Sequence, residues 1–317
     1  MIKIKPILTV TMNPSVDIVY QLDSLELDTT NRVNYVYKTA GGKGLNVSRV
    51  LHQLCVPVLA TGMVGGVLGE FITRQLDEIC MPHNFLSISS PTRNCIAILH
   101  DGKQTEILEP GPTLTKAEYT NFIQHFSNLL LETQIVCISG SLAKGVPNTY
   151  YIDLIKLCRQ NNIPCLLDCS NEALLNVLNS SVKPTLIKPN LMELSRVVQQ
   201  SFTDNLEREL VHVLNQPLFS GIEWIIVSLG SDGAIAKHND IFYRVEIPSI
   251  DVINPVGSGD ATIAGLAYGL AKQLTDEEIL IFGNVCGMLN AQENETGKIN
   301  IKNLPNLREQ IRVIKIN

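Results

Sequence analysis

The residues best suited to chemistry lie in the run Asn254-Pro255-Val256-Gly257-Ser258-Gly259-Asp260, which leads directly into an apolar, small-residue segment. Glycines at positions 257 and 259 let backbone N–H groups turn toward one point, and a helix that begins there adds partial positive charge. The backbone N–H groups of residues 256–260 can therefore line an anion site. A carboxylate repels a bound anion, so Asp260 is better placed as a general base for an attacking hydroxyl. The alternative is a tight loop in which an aspartate caps the helix.

A second glycine run, Ala40-Gly41-Gly42-Lys43-Gly44-Leu45-Asn46-Val47, opens a segment with an apolar helical face. Three glycines within four residues permit a ligand to approach the backbone closely, while Lys43 offers a charge and Asn46 an amide. The run is neither a Walker A loop nor GxGxxG. Because no GxGxxG follows the first predicted strand, an NAD-binding dehydrogenase is disfavoured. Taken alone, Gly42 and Asn46 also suit a plain helix start.

These loops need a scaffold, and short β-rich apolar runs alternate with helical patterns along the chain. The predicted strands are Ile7–Met12, Val58–Thr61, Ile135–Ser139, Pro164–Asp168, Thr185–Lys188 and Trp224–Ser228. The predicted helices are Lys43–Leu54, Gly69–Ile79, Pro147–Gln160, Glu172–Leu178, Leu191–Gln199 and Ala261–Lys272. Such alternation, with nearly continuous Val, Ile and Leu in the strands, predicts an α/β fold whose parallel sheet is covered on both faces. Ligands bind at the carboxyl ends of such strands, where the late polar turns fall.

Two stretches break this alternation. Residues 18–38 have a β pattern, and Cys95–Leu108 reads as a hairpin around Asp101-Gly102, a strong turn signal. Although separated in sequence, the two stretches could form one small sheet that projects from the main domain; the alternative is two unrelated surface hairpins. Asp276–Asn290 and Leu304–Val313 are predicted to be closing helices.

Composition narrows the classes of function. The 317 residues could form one large α/β domain or two smaller ones, and 45% hydrophobic with 18% charged residues is typical of globular proteins. A net charge of −6 argues against general nucleic-acid binding. Eight scattered cysteines without a CxxC pair predict buried, reduced thiols. The N-terminal apolar stretch is too short for a signal peptide, and Ala261–Ala271 is too short to span a bilayer, so we expect a cytoplasmic protein without membrane partners.

The pairing of GGKGxN early with GxGD late resembles the PfkB carbohydrate kinases of the ribokinase-like superfamily. Further markers of that family occur in order, at Thr11–Asp17, Arg93–Cys95, Ser139–Leu142, Lys188–Glu193 and Val227–Gly230. The resemblance thus extends over nearly the whole chain. Within the family, the runs TMNPSVD, TRNCIAILH, GIEWIIVSLG and NPVGSGD are most similar to those of tagatose-6-phosphate kinases.

The resemblance implies an ATP-dependent, Mg²⁺-requiring kinase that phosphorylates the 1-hydroxyl of D-tagatose 6-phosphate to give D-tagatose 1,6-bisphosphate. One alternative is 1-phosphofructokinase, which converts fructose 1-phosphate to fructose 1,6-bisphosphate. Another is a non-catalytic sugar-phosphate-binding protein on the same scaffold, against which the presence of Asp260 and Glu193 argues.

The resemblance also implies an architecture. We expect a single ribokinase-like domain over residues 1–317, with three α/β/α layers and a mostly parallel central sheet. A small β-sheet lid, formed discontinuously by about 18–38 and 93–108, would close over the sugar. Lids of this family often pair with a second subunit, so we expect a homodimer.

Residues that would bind the sugar phosphate are implied at seven positions. Asp17 matches the family's aspartate that accepts hydrogen bonds from two sugar hydroxyls. Arg32 and Arg93 match phosphate-binding positions, and a phosphate favours an arginine fork plus a further cation. Taken alone, Asp17 also suits a turn, and each arginine a solvated surface. The full substrate-binding set is Asp17, Arg32, Gly42, Lys43, Asn46, Arg93 and Ser141.

The implied nucleotide side begins at Lys188-Pro189-Asn190, where a strand ends. The family uses the matching asparagine and glutamate, Asn190 and Glu193 here, to organise Mg²⁺ and its waters around the triphosphate. Taken alone, this segment is a strand followed by a capped helix start. The remaining residues implied to lie near the phosphates are Ser228, Gly230, Gly233 and Val256.

One departure from the family concerns a monovalent cation. Many relatives have Asp-Thr where this chain has Asn254-Pro255, and that aspartate helps to hold the cation. Asparagine is neutral and proline lacks an N–H, so the sequence leaves cation activation open.

Overall fold

The computed structural model describes residues 5–203 and 205–316. Strands and helices alternate through most of that part of the chain. The strands are β1 (Ile7–Thr11), β2 (Ser15–Gln21), β3 (Tyr35–Gly41), β4 (Val58–Val64), β5 (Leu86–Ser87), β6 (Arg93–His100), β7 (Lys103–Leu108), β8 (Ile135–Ser139), β9 (Cys165–Asp168), β10 (Leu186–Ile187), β11 (Trp224–Ser228), β12 (Ala234–His238), β13 (Ile241–Glu246) and β14 (Arg312–Ile316). The helices are α1 (Lys43–Gln53), α2 (Gly66–Glu78), α3 (Lys116–Leu130), α4 (Tyr150–Gln160), α5 (Asn171–Asn179), α6 (Leu191–Val198), α7 (Leu206–Leu214), α8 (Ser258–Ala271), α9 (Asp276–Ala291) and α10 (Leu304–Gln310).

The main sheet has ten strands in the order β14-β13-β12-β11-β10-β9-β8-β1-β4-β5. Strands from β11 to β5 run parallel, whereas β12, β13 and β14 extend one edge in antiparallel fashion. The mostly parallel sheet expected from the alternating pattern is confirmed. Its parallel strands carry their carboxyl ends to one edge, which is where a ligand site is expected.

Two hydrophobic cores flank the sheet because successive side chains of a strand point to opposite faces. In β11, Trp224 and Ile226 enter one core, and Ile225 and Val227 enter the other. The first core also contains α1, α2, α8 and α9, and the second contains α3 to α7. The expected three-layer α/β/α arrangement is therefore confirmed.

A separate four-stranded sheet has the order β3-β2-β6-β7. Its central pair, β2 and β6, is parallel, with Ser15 opposite Arg93, while β2 and β3 are antiparallel, with Ser15 opposite Gly41. The two stretches that broke the sequence alternation thus do form one sheet. Its register brings Arg93 and the first glycine run to the same end of β2.

The sequence reading was wrong at the C-terminus, where Leu304–Val313 was predicted to be one helix. Helix α10 ends at Gln310, and Arg312–Ile316 instead forms β14, antiparallel to β13, with Ile314 opposite Arg244. An available sheet edge outweighed helix propensity in this segment. Helices α3 and α7 and strands β12 and β13 also lay in segments that had no prediction.

The expectation that the cysteines are buried holds for part of the set. Cys137, Cys158, Cys165, Cys169 and Cys286 are buried, whereas two others, at positions 55 and 80, are exposed in turns that follow helices. Among the described residues, no helix combines the length and the apolar character needed to cross a membrane.

Candidate active site

The loops that carry the predicted residues meet at the carboxyl edge of the main sheet. Helices α1 and α8 both begin there, with glycines as their N-caps: Gly42 at φ 110° and Gly257 at φ 84°. These φ values lie in the region that favours glycine. Neither cap makes a side-chain hydrogen bond to its helix, so helix N–H groups remain for another acceptor.

Asp260, in the first turn of α8, is a buried carboxylate at the start of that helix. It is 5% exposed, and its Oδ2 accepts a hydrogen bond of 2.7 Å from the side-chain amide of Asn46. Burial raises the pKa of Asp260 to about 6, with Asp168 adding to the rise and Lys43 opposing it. A carboxylate with that pKa is ionised at neutral pH and can still accept a proton, as a general base must.

Asn46 is the fourth residue of α1 and connects Asp260 to Arg49. The Nη2 of Arg49 donates to Asn46 Oδ1 at 2.5 Å. Because a guanidinium only donates, the amide oxygen of Asn46 faces Arg49 and its NH₂ group faces Asp260. The resemblance implied that Asn46 contacts the sugar; within the described chain it contacts the predicted base.

A charge cluster, in which Asp168 and Lys188 are buried and Lys43 is exposed, lies beside Asp260. The carboxylate of Asp168, at the end of β9, is 3.4 Å from Lys43 Nζ and 3.8 Å from Lys188 Nζ. Burial of Asp168 favours its neutral form, but the two lysines outweigh that effect and hold its pKa below the ordinary value. Asp168 in turn raises the pKa of Lys43, so the Lys43 ammonium group stays charged at neutral pH.

The loop before α8 shows which backbone groups are available to an anion. The Val256 N–H donates to Asn254 Oδ1 at 3.0 Å, so this predicted member of the anion site is already engaged. Asn290 Nδ2 donates to the carbonyl of the same valine at 2.9 Å and thereby holds the loop in place. A Cβ at Gly259 would lie 3.1 Å from Lys188 Nζ, which places that ammonium group against the loop. Ser258 Oγ is buried without a hydrogen-bond partner in the described chain.

Asp17 lies at the junction of the small sheet and the first glycine run. A Cβ at Gly41 would lie 2.1 Å from Asp17 Cγ, so only glycine leaves room for this carboxylate. Ser15 Oγ donates to Asp17 Oδ1 at 2.6 Å. Burial raises the pKa of Asp17, while that serine, Arg49 and Arg93 oppose the rise.

Arg93, at the start of β6, is held by two main-chain carbonyls. Its Nη1 donates to the carbonyl of Glu109 at 2.9 Å and its Nη2 to that of Asn13 at 3.2 Å. The buried Nε has no partner in the described chain. The guanidinium therefore has a fixed position and retains N–H groups for an anion.

Two other predicted phosphate ligands are placed differently. Ser141 is exposed and follows Gly140. Gly140 packs against Lys43, because a Cβ at position 140 would lie 3.5 Å from Lys43 Cβ. Arg32 is exposed in the loop between β2 and β3 and makes no hydrogen bond or ion pair with the described residues. The structure therefore brings Ser141 toward the glycine loop but does not bring Arg32 to the site of its own chain.

On the nucleotide side, Asn190 caps α6 and Glu193 returns the contact in a capping box. Asn190 also bridges to Ser228 at the end of β11, which brings these two predicted positions together. Gly230 is exposed, and a Cβ there would meet nothing within 4 Å. A Cβ at Gly233 would lie 2.1 Å from the carbonyl oxygen of Val245 in β13. Close packing against β13 is therefore enough to explain a glycine at this buried position.

Sequence reasoning missed three residues of this region. Asp168 could have been found, because it ends a predicted strand next to the one that leads to Lys188. Arg49 lies three residues after Asn46 and therefore on the same helix face, a signal that is available but weak. Asn290 is fully buried in α9, and no sequence pattern marks its contact with the loop before α8.

Known proteins resemble this chain in both sequence and fold. Residues 10–303 match the pfkB family of carbohydrate kinases. A Staphylococcus aureus chain provisionally assigned as a phosphofructokinase is 32% identical, with a TM-score of 0.81 over 98% of this chain and 99% of that one. Phosphofructokinase-2 from Escherichia coli, solved with potassium, is 25% identical, with a TM-score of 0.87 over 96% and 98%. A Thermotoga maritima chain provisionally assigned as a 1-phosphofructokinase is 25% identical, with a TM-score of 0.86 over 98% and 99%.

Proposed function

The chain belongs to the pfkB family of carbohydrate kinases, and we propose that it is an ATP-dependent kinase of a ketohexose monophosphate. The proposed reaction transfers the γ-phosphate of ATP to the 1-hydroxyl of D-tagatose 6-phosphate and gives D-tagatose 1,6-bisphosphate. The observation that carries the kinase proposal is Asp260, a buried carboxylate with a pKa near 6 in the first turn of a glycine-capped helix. The choice of tagatose rests on the resemblance of sequence motifs.

Asp260 takes the proton of the attacking hydroxyl in this proposal. Its orientation is set by the hydrogen bond from Asn46, which leaves the second carboxylate oxygen for the sugar. Direct attack needs a positioned hydroxyl, a base and positive charge near the transferred group, and no covalent intermediate. Lys43 and Lys188, which pair with different carboxylate oxygens of Asp168, provide the positive charge.

The residues at the start of α8 fit a nucleoside triphosphate. The N–H groups of Gly257, Gly259 and Asp260 have no acceptor in the described chain, and the orphaned Ser258 hydroxyl and the ammonium of Lys188 lie at the same loop. Together they form an anion cradle at a helix start. Bound there, ATP would supply the transferred phosphoryl group.

The residues also fit Mg²⁺ in the way it usually binds with phosphates. The described chain has no group of three or more His, Cys, Asp or Glu side chains suited to a metal. Mg²⁺ commonly uses one or two carboxylates together with phosphate oxygens and waters. Glu193 keeps one carboxylate oxygen outside its capping bond to Asn190, so it can act directly or through water.

The sugar phosphate would lie between Asp17 and Arg93. Asp17 accepts the hydroxyls of the sugar, and Arg93 and Ser141 bind its phosphate away from the reacting end. The free Nε–H of Arg93 is the observation behind this orientation. Gly42 and Lys43 then line the path from the sugar to Asp260.

A monovalent cation stays part of the proposal, supported by the potassium complex of the Escherichia coli relative. In this chain Asn254 already uses both side-chain atoms, with Oδ1 on the Val256 N–H and Nδ2 on the carbonyl of Asn294 at 3.1 Å. A cation would therefore have to rely on main-chain carbonyls of the same loop.

We also propose a homodimer that forms through the small sheet. Asp17, Cys95 and Leu108 share one face of that sheet by register, and Tyr35 lies on the same face. Leu108 is 60% exposed and Tyr35 59%, so an apolar surface lies open next to the sugar site. The same sheet of a second copy would cover it. In that arrangement Arg32, which makes no hydrogen bond or ion pair with the described residues of its own chain, is presented to the partner's phosphate pocket.

A second candidate is 1-phosphofructokinase, favoured by the Thermotoga maritima relative. An ADP-release assay with tagatose 6-phosphate, fructose 6-phosphate, fructose 1-phosphate and the free sugars separates the two. The proposal expects the highest kcat/KM with tagatose 6-phosphate, and a preference for fructose 1-phosphate would establish the second candidate. Equal values with all substrates, free sugars included, would rule out a dedicated phosphate site.

The catalytic part of the proposal is tested with Asp260→Asn. Turnover should fall by on the order of 10²- to 10⁴-fold while ATP binding persists, because only general base catalysis is lost. Asp240→Asn, at an exposed aspartate in the turn between β12 and β13, is the matched control. More than a tenth of the wild-type kcat in Asp260→Asn would place the base elsewhere.

A further inference from the structure

Arg49 connects four parts of the site. From α1 it donates to Asn46 Oδ1 at 2.5 Å, to Thr39 Oγ1 in β3 at 3.3 Å and to the carbonyl of Thr296 at 3.1 Å. It also donates to the carbonyl of Ala40, next to the first glycine run. A Cβ at Gly297 would lie 2.9 Å from Arg49 Nε, so the chain after α9 packs directly on the guanidinium.

These contacts place Arg49 between the two halves of the proposed reaction. Strand β3 is part of the small sheet that holds Asp17, and Asn46 touches Asp260. The segment after α9 leads back to the loop before α8, because the Gly297 N–H donates to Asn290 Oδ1 at 2.8 Å. The guanidinium thus lies one side chain away from the predicted base and one strand away from the predicted sugar ligand.

The chemistry of an amide gives this arrangement a consequence. The side chain of Asn46 has one acceptor end and one donor end, and either end fits the same space. An ionised carboxylate can only accept hydrogen bonds, so the ionised form is stabilised by the NH₂ end of the amide and destabilised by its oxygen end. Arg49 permits one orientation alone, since two N–H groups cannot be satisfied by facing each other.

We propose that Arg49 is a positioning residue that fixes the amide of Asn46 and thereby keeps Asp260 ionised and aligned for proton transfer. The inference rests on the proposed role of Asp260 as the base. Arg49 itself touches neither substrate nor the reacting atoms. Other charged groups that face Asp260 are Lys43 from α1, Lys188 from the end of β10 and Asp168 from the end of β9.

The chain offers a matched control one turn further along α1. Gln53 Nε2 donates to the carbonyl of Gly297 at 2.8 Å, and its Oε1 accepts from the Ile299 N–H at 3.0 Å. Gln53 thus ties α1 to the same segment after α9 but has no contact with Asn46 or Asp260. Gln53→Leu removes a structural tie of similar kind without touching the amide.

The test compares kcat as a function of pH for wild type, Arg49→Met, Arg49→Lys and Gln53→Leu. In Arg49→Met the amide of Asn46 is free to turn. We therefore expect the acidic limb of the pH profile of kcat to move to higher pH by about 0.5 pH unit or more. We also expect kcat at pH 7 to fall about tenfold, because Asp260 loses its alignment. The KM for ATP should stay within about threefold, since the nucleotide cradle is unaltered. Gln53→Leu should leave the limb in place, and Arg49→Lys should lie between, because it keeps a donor but not the fork.

A double variant locates the path of the effect. If Arg49 acts through the amide, Arg49→Met should move the limb no further in an Asn46→Leu background; an equal further movement would overturn the inference. A limb that stays in place in Arg49→Met, or that moves as far in Gln53→Leu, would overturn it as well. Should Arg49→Met not fold, Arg49→Lys decides by the same criterion. Failure of the underlying proposal is separate, because Asp260→Asn would then retain more than a tenth of the wild-type kcat.

Discussion

The buried carboxylate of Asp260 should lower the stability of the folded protein, and this can be measured apart from catalysis. Its pKa is 3.8 in ordinary surroundings and about 6 in the fold. A raised pKa means that the folded state disfavours the ionised form. The free-energy cost is therefore absent below pH 3.8 and fully present above pH 6. Replacing the carboxylate with the neutral amide in Asp260→Asn removes this pH-dependent cost.

The size of the effect follows from the two pKa values. A rise from 3.8 to about 6 corresponds to about 3 kcal/mol at high pH, at 1.36 kcal/mol for each pH unit. At pH 4.5 the linkage relation gives about 1 kcal/mol, because the unfolded carboxyl is already mostly ionised there. The stability of Asp260→Asn relative to wild type should therefore rise by about 2 kcal/mol between pH 4.5 and pH 8. Any constant effect of the substitution cancels in this comparison.

Urea unfolding of both proteins across this pH range, followed by circular dichroism, measures the difference. Asp240→Asn, at its exposed turn, is measured alongside as the matched control. A flat difference for Asp260→Asn would show that Asp260 is not destabilised in its ionised form, and the argument for a base with a raised pKa would fail. A rise with pH combined with a large loss of kcat would show a residue retained for chemistry at the expense of stability.

Three further predictions concern the two ends of the site and the dimer. Arg93→Ala should raise the KM for the sugar phosphate about tenfold or more and leave the KM for ATP almost unchanged, because a charge-assisted contact is lost. Initial rates measure both values, and weaker ATP binding instead would assign Arg93 to the nucleotide side. Lys188→Met should have the reverse effect, with a higher KM for ATP and a lower kcat, because the ammonium group lies against Gly259. A raised KM for the sugar phosphate alone would contradict this prediction. Random mixing of Arg32→Ala and Asp260→Asn subunits should restore about a quarter of wild-type activity, because half of the dimers would have one intact site out of two. No recovery in demonstrably mixed dimers would show that Arg32 acts only within its own chain.

The sequence predicted the parallel part of the fold closely because burial on both faces leaves a clear signal. Strands Ile135–Ser139 and Trp224–Ser228 have the predicted bounds, since continuous apolar runs end at polar turns. Helix α3 lay in a segment without a prediction although Phe122, Phe126 and Leu130 repeat every fourth residue along its buried face. The prediction for β14 was wrong because its five residues, three apolar and two charged, favour a strand only when a partner edge is present.

The site was predictable where chemistry is local and was missed where it is not. The glycine N-cap and the first-turn aspartate of α8 are predicted directly from seven adjacent residues, 254–260. The link between Asn46 and Asp260 joins positions 214 residues apart, and the ion pair of Lys43 with Asp168 joins positions 125 apart. Such contacts depend on which helix starts meet at the sheet edge, and a single sequence does not encode that in any local pattern.

Asp168 and Asp260 are influenced by the same two lysines, but their pKa values differ because their surroundings differ. Asp168 lies in direct contact with both lysines, so its pKa is lowered and it acts as a permanent counterion. Asp260 has neither lysine as a direct partner, so burial dominates and its pKa is raised. Opposite displacements in one charge field are a mark of separate acid–base roles. A phosphate that draws Lys43 and Lys188 toward itself would withdraw positive charge from Asp260, raise its proton affinity further and favour proton transfer when the nucleotide is in place.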